Sequence, residues 1–162
     1  MSQQQEVHVL MVCLGNICRS PTAHGVLQQR VQAAGLTQRI KVDSAGTGDW
    51  HIGRQADERT RKAAAQRGYD LEDLRARQVQ AADFDNFDYI LAMDETNLRD
   101  LQVLSPPEHQ HKIRLFMEYA DNNQRAVPDP YYGGEEGFQV VLDLVEQATD
   151  ALLLHIQRTE LR

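Results

Sequence analysis

The stretch His8-Val9-Leu10-Met11-Val12-Cys13-Leu14-Gly15-Asn16-Ile17-Cys18-Arg19-Ser20-Pro21 runs from an apolar segment through a short turn into a helix start. Residues 8–12 are few, apolar and rich in branched side chains, which suits a strand buried on both faces of a parallel sheet. Ser20-Pro21 fits an N-cap followed by proline at the first helical position, and Ala23, Val26, Leu27, Val31 and Ala34 recur at helical spacing until Gly35. Strand, loop and helix therefore follow one another directly. The loop carries a cysteine and an arginine separated by five residues.

That spacing has a chemical rationale. In an open parallel sheet ligands bind beyond the carboxyl ends of the strands, which is where Cys13 is expected. Leu14, Gly15, Asn16, Ile17, Cys18 and Arg19 can curl around a tetrahedral anion with successive N–H groups pointing inward, while the Arg19 guanidinium grips two oxygens as a bidentate fork. Lysine could not reproduce that fork. N–H groups leading into a helix attract anions and favour a thiolate over a thiol, so Cys13 is placed for in-line attack on a phosphoryl group. Taken singly, a cysteine ending a strand reads as an inert small hydrophobe and an arginine at a helix start as a solvated charge. The combination with Gly15, Asn16 and Ser20-Pro21 at fixed offsets makes the catalytic loop the better reading.

Outward from this core, the pattern of short apolar runs alternating with helical periodicity continues. Ile40-Lys41-Val42-Asp43 is a second strand ended by the turn-forming Ser44-Ala45-Gly46-Thr47-Gly48, and Asp57 to Arg67 is a charged helix closed by Gly68. Tyr89-Ile90-Leu91-Ala92-Met93 is a third strand, Asp94 caps a helix through Leu101, and Lys112 to Phe116 is a fourth strand. Phe138, Val141, Leu142, Val145, Leu152 and Ile156 mark a long amphipathic C-terminal helix. Strands alternating with helices imply an α/β sandwich. Asp121 to Gly137 is the longest stretch without periodicity, and a loop of that length inside a domain points to function.

At 162 residues the chain reads as a single domain, 1–162. Its formal charge of −7 gives no general attraction to nucleic acid or anionic membrane, so neither is expected as a partner. Two cysteines are too few for a disulfide scaffold, and the N-terminal residues lack the pattern of a secretory signal, so a cytoplasmic location is expected. No apolar run spans a bilayer, and no metal-binding motif or cofactor fingerprint occurs; the nucleotide-binding patterns GxxxxGK[ST] and GxGxxG are both missing. No metal or other cofactor is expected, and a monomer is the default.

The stretch Cys13 to Pro21 resembles the signature loop of the low-molecular-weight protein tyrosine phosphatases. The similarity continues, in the family's order, through Asp43-Ser44-Ala45-Gly46-Thr47, Tyr89-Ile90-Leu91-Ala92-Met93-Asp94 and Asp129-Pro130-Tyr131-Tyr132. The resemblance implies a three-layer sandwich with a four-stranded parallel sheet in the order 2-1-3-4, flanked by helices. It implies Cys13 as nucleophile, Arg19 as transition-state clamp and Asp129 as general acid, acting on protein phosphotyrosine and small aryl phosphates with inorganic phosphate as product. By similarity, Ser20 donates its hydroxyl to the thiolate, Asn16 and Ser44 support the loop, and Trp50, Tyr131 and Tyr132 form apolar walls around an aromatic substrate.

Chemistry asks for an acid of this kind independently, because a phenol has a pKa of about 10 and leaves badly as the anion. Without the cysteine loop, Asp129 between two prolines would read as a turn carboxylate. Likewise Trp50, Tyr131 and Tyr132 have a plainer reading as partly buried surface aromatics. Cys18, on the same loop as Cys13, either forms a reversible protective disulfide with it or packs beneath it.

Three further functions bear comparison. Thiol-coupled arsenate reductases share a similar scaffold but relay oxidation through later cysteines, and this chain has none after Cys18. A related group acts on phosphoarginine with threonine in the place of Ile17, so isoleucine points to phosphotyrosine. A phosphopeptide reader without turnover would have no use for both Cys13 and Asp129.

Overall fold

The chain was analysed as a computed structural model that describes residues 5–131 and 133–161. Strand β1 (Val7–Cys13) pairs in parallel with β2 (Ile40–Gly46) on one side and β3 (Tyr89–Ala92) on the other, and β3 pairs in parallel with β4 (Ile113–Leu115). The order is β2-β1-β3-β4, as the resemblance implied. Because every strand runs the same way, all four carboxyl ends lie along one edge of the sheet. Cys13 stands beside Gly46 there, and Val12 beside Ala92.

Alternation along β1 divides the core. Val7, Val9, Met11 and Cys13 face one apolar cluster, shared with helices α1 (Arg19–Ala33), α2 (Glu58–Gln66) and α5 (Glu135–Thr159). Leu10 and Val12 face the other, closed by Phe84 of α3 (Ala81–Asn86) and Leu101 of α4 (Glu95–Leu104). Both faces are covered, so the continuous apolar run follows from burial on two sides. Leu10, Met11, Phe84 and Leu101 are fully buried, each contributing about 1.5–3 kcal/mol relative to exposure.

Several boundaries differ from the sequence expectation. Strand β2 continues through Ser44 to Gly46 because pairing with β1 carries the turn-forming residues along to Cys13. Helix α1 begins at Arg19 with Cys18 at its N-cap and no side-chain cap, so Ser20 and Pro21 lie inside the first turn. The Ser20 hydroxyl that would have capped the helix is instead bonded to the side chains of Cys13 and Asn16. Helix α5 starts at Glu135, ahead of the apolar periodicity; its first turn carries Glu135 and Glu136, the charge that a helix N-terminus favours. The periodicity analysis missed α3, a six-residue helix in which the Asp83 carboxylate accepts the Gln80 N–H at 2.7 Å. It also missed 3-10 turns at Pro107–Lys112 and Phe116–Tyr119, elements too short to display a period.

Candidate active site

Between the end of β1 and the start of α1 the chain must reverse within residues 14–18. Gly46 permits this close passage, since a Cβ there would sit 2.7 Å from the Leu14 carbonyl oxygen and 3.2 Å from the Asn16 nitrogen. Asn16 takes the left-handed conformation, with φ of 57°, a region that asparagine tolerates better than most residues. Its side chain locks the turn from both ends: Nδ2 donates to Ser20 Oγ at 2.8 Å, and Oδ1 accepts the Arg77 N–H at 3.0 Å. Among the described residues, no protein acceptor takes the N–H groups of Leu14, Gly15, Asn16, Ile17 or Cys18. A row of unpaired donors at the start of a 15-residue helix is a cradle for an oxyanion.

Cys13 is buried at the base of this loop, with Ser20 Oγ 3.1 Å from its sulfur. Ser20 Oγ already accepts from Asn16, so its own proton is available to Sγ; the Ala45 carbonyl oxygen, at 3.5 Å, is the more distant alternative. Arg19 is 3% exposed, and its Nη1 donates to Asp94 Oδ2 at 2.6 Å and to the Val127 carbonyl at 3.2 Å. Burial works against its charge, but Cys13, Asp94 and Asp129 outweigh it and hold the guanidinium above the ordinary arginine range. The other carboxylate oxygen of Asp94 accepts the Asn97 N–H at 2.8 Å and so caps α4. One aspartate thus orients Arg19 and begins a helix.

Asp129 arrives from the aperiodic segment. Its Oδ2 lies 3.8 Å from Arg19 Nη2, and its Oδ1 accepts the Tyr131 N–H at 3.0 Å. The cleft above Cys13 measures about 370 Å³ and has Cys13 and Arg19 among its lining residues, with Trp50, His51, Asp129 and Tyr131 around them. Leu14, Gly15, Ile17 and Cys18 complete it. Trp50 is 66% exposed and lies so close to Gly48 that a Cβ there would meet the indole at 1.8 Å. The glycine lets the indole lie against the backbone. Tyr132, the second tyrosine expected in the wall, lies outside the described residues.

Ser44, on β2, is bonded to α1. Its hydroxyl pairs with His24 Nδ1 at 2.9 Å beneath α1, while Asn16 and Ser20 bond to each other within the loop. Burial holds the His24 pKa below the usual histidine range. Cys18 is a free thiol packed under the loop, and burial pushes it up to about 12. Sequence reasoning did not single out His51 or Arg77, and it read Asp94 as a helix cap alone. Asp94 carried a usable signal, since it follows the strand next to β1 at the same carboxyl edge. No group of three or more His, Cys, Asp or Glu side chains among the described residues is arranged to hold a metal ion, and no helix there is long and apolar enough to cross a membrane.

Residues 8–161 match the sequence model of the low molecular weight phosphotyrosine protein phosphatases. The chain belongs to that family. This phosphatase is 46% identical over 136 residues to a low molecular weight phosphotyrosine protein phosphatase of Schizosaccharomyces pombe, covering 83% of this chain and 86% of the relative. A low molecular weight protein-tyrosine-phosphatase of Streptomyces coelicolor is 45% identical over 153 residues, covering 92% and 93%. Among solved structures, a protein tyrosine phosphatase from Entamoeba histolytica with Hepes in the active site superposes with a TM-score of 0.92 at 42% identity, covering 96% of this phosphatase and 100% of that chain.

Proposed function

We propose that this phosphatase hydrolyses phosphotyrosine on proteins, and small aryl phosphates, through a cysteinyl-phosphate intermediate. The Cys13 thiolate attacks phosphorus, the P–O bond to the phenol breaks, and the Asp129 carboxyl gives its proton to the departing oxygen. Water then attacks the same phosphorus, Asp129 as carboxylate takes the proton, and the S–P bond breaks to release inorganic phosphate and the thiolate. Arg19 and the loop N–H groups hold the equatorial oxygens throughout, which leaves no step requiring a metal.

The observation that carries this reading is the convergence of residues 13, 19 and 129 on one cleft, with Arg19 Nη2 3.8 Å from Asp129 Oδ2. A nucleophile, a cation and a proton donor at the floor of a partly aromatic cleft fit a phosphate ester of a phenol. The apolar Ile17 beside the cradle favours phosphotyrosine over phosphoarginine, and a chain with no cysteine after Cys18 lacks the thiol relay of an arsenate reductase. Tyrosine-phosphorylated proteins would be the partners, met by a monomer in a reducing cytoplasm that keeps the nucleophile reduced. Under peroxide, a Cys13–Cys18 disulfide would silence the enzyme reversibly; failure of dithiothreitol to restore activity would exclude that protection.

Turnover of p-nitrophenyl phosphate by the wild type, Cys13→Ser and Asp129→Ala tests the assignment. The serine variant is expected to bind phosphate without turning over. The alanine variant is expected to lose far more rate on phenyl phosphate than on the nitro-activated ester. Equal losses on both esters would remove Asp129 from the acid role.

A further inference from the structure

Among the described residues of the segment carrying Asp129, none between the 3-10 turn ending at Tyr119 and Gly134 lies in a helix or strand. Something must fix where its carboxyl stands relative to Cys13. Two arginines from the first half of the chain hold it: Arg19 takes the Val127 carbonyl and faces Asp129 itself, and Arg59, in the first turn of α2, takes the residues that follow the acid. Arg59 Nη2 donates to the Tyr131 carbonyl at 2.8 Å, and Nη1 reaches the Gly133 carbonyl at 3.5 Å. Its guanidinium also covers the rings of Tyr131 and Phe138, with centroids at 5.5 and 4.9 Å.

The other end of this bridge is held as firmly. Asp57, the N-cap of α2, accepts Arg59 Nε at 3.2 Å and Nη2 at 3.3 Å, so the guanidinium has a fixed carboxylate behind it. The Asp57 N–H in turn donates to the Ile17 carbonyl of the phosphate loop at 2.8 Å. A continuous chain therefore runs from the nucleophile's loop through Asp57 and Arg59 to Tyr131, whose N–H ends on Asp129 Oδ1. With Oδ1 accepting that bond, Oδ2 is left toward Arg19 and the cleft as the oxygen that can carry the proton.

We propose that Arg59 is a positioning residue for the general acid: it ties the Asp129 segment to the phosphate loop by way of Asp57 and so sets the distance and the choice of carboxyl oxygen for proton transfer. It touches neither substrate nor nucleophile. The inference rests on the acid role proposed above for Asp129. Arg59 is suited to this task because a planar fork can serve two carbonyls and a carboxylate while lying over aromatic rings; a lysine ammonium offers one point charge and no such plane.

The test compares kcat on phenyl phosphate and on p-nitrophenyl phosphate for the wild type, Arg59→Ala, Arg59→Lys, Asp129→Ala and the Arg59→Ala/Asp129→Ala double variant. Displacement of an acid by about 1 Å can cost on the order of a hundredfold. The Arg59→Ala variant is therefore expected to lose about ten- to a hundredfold on phenyl phosphate but no more than about threefold on the nitro ester, with Arg59→Lys between the two. Competitive inhibition by inorganic phosphate is expected to stay unchanged, because the cradle is intact. In the Asp129→Ala background the Arg59 substitution is expected to add nothing. Equal losses on the two esters, or additive losses in the double variant, would overturn the role of Arg59 while leaving that of Asp129 in place. If Asp129→Ala itself shows no leaving-group dependence, the acid assignment falls and the positioning role falls with it.

Discussion

Ser20 Oγ stands 3.1 Å from Cys13 Sγ while accepting a 2.8 Å hydrogen bond from Asn16 Nδ2. The incoming bond uses a lone pair and leaves the serine proton to the sulfur, so the serine acts as a donor at the time the thiolate is needed. Hydrogen bonds to charged groups contribute about 1.5–3 kcal/mol, which corresponds to roughly ten- to a hundredfold in an equilibrium or a rate. Ser20→Ala is expected to lower kcat by about that factor, as read from steady-state turnover of p-nitrophenyl phosphate. An unchanged kcat would show that the hydroxyl does not act on the sulfur.

Asp94 serves two structures with its two oxygens, and the substitutions that separate them are available. Asparagine caps helices about as well as aspartate, so Asp94→Asn is expected to keep α4 while depriving the buried Arg19 guanidinium of the nearer of its two carboxylate partners. Activity should fall at least tenfold with little change in the thermal unfolding midpoint. Asp94→Ala removes the cap as well and should cost about 1 kcal/mol more in stability. Calorimetry on the two variants checks this, and a midpoint that falls equally for both would mean that the ion pair, not the cap, stabilises the fold.

His24 contributes a pH dependence whose sign follows from its burial. Its folded pKa lies below the unfolded value of 6.5, so the unfolded chain takes up the proton first as the solution is acidified. The stability it confers is present above that value and is lost as the pH falls through it. Denaturant unfolding between pH 7.5 and pH 5 is expected to show a smaller loss in His24→Gln than in the wild type. An identical slope in the two proteins would contradict this assignment.

How much of this was legible in the chain depends on how local each cause is. The β1 strand, its loop and α1 could be read because branched apolar residues, a glycine turn and Pro21 act within a few positions of one another. The C-terminal helix was legible for the same reason, since Phe138 through Ile156 repeat at helical spacing. By contrast, the meeting of Arg19 with the Val127 carbonyl joins residues 108 positions apart, and no periodicity encodes it. The place of Asp129 came from resemblance, not from spacing. Ser20 illustrates a different failure: its local chemistry fitted an N-cap, but a buried sulfur and the Asn16 amide compete for the same hydroxyl. The pairing of Ser44 on β2 with His24 of α1 is likewise a contact between distant positions that no local pattern encodes.

The central claim is that phosphorus passes through a bond to the Cys13 sulfur, and trapping that intermediate tests it most directly. Acid quench of the enzyme during turnover of an aryl phosphate, followed by proteolysis and mass spectrometry, is expected to find one phosphoryl group on the peptide carrying Cys13 and none in Cys13→Ser. Phosphate on another residue, or turnover surviving in the serine variant, would contradict the account.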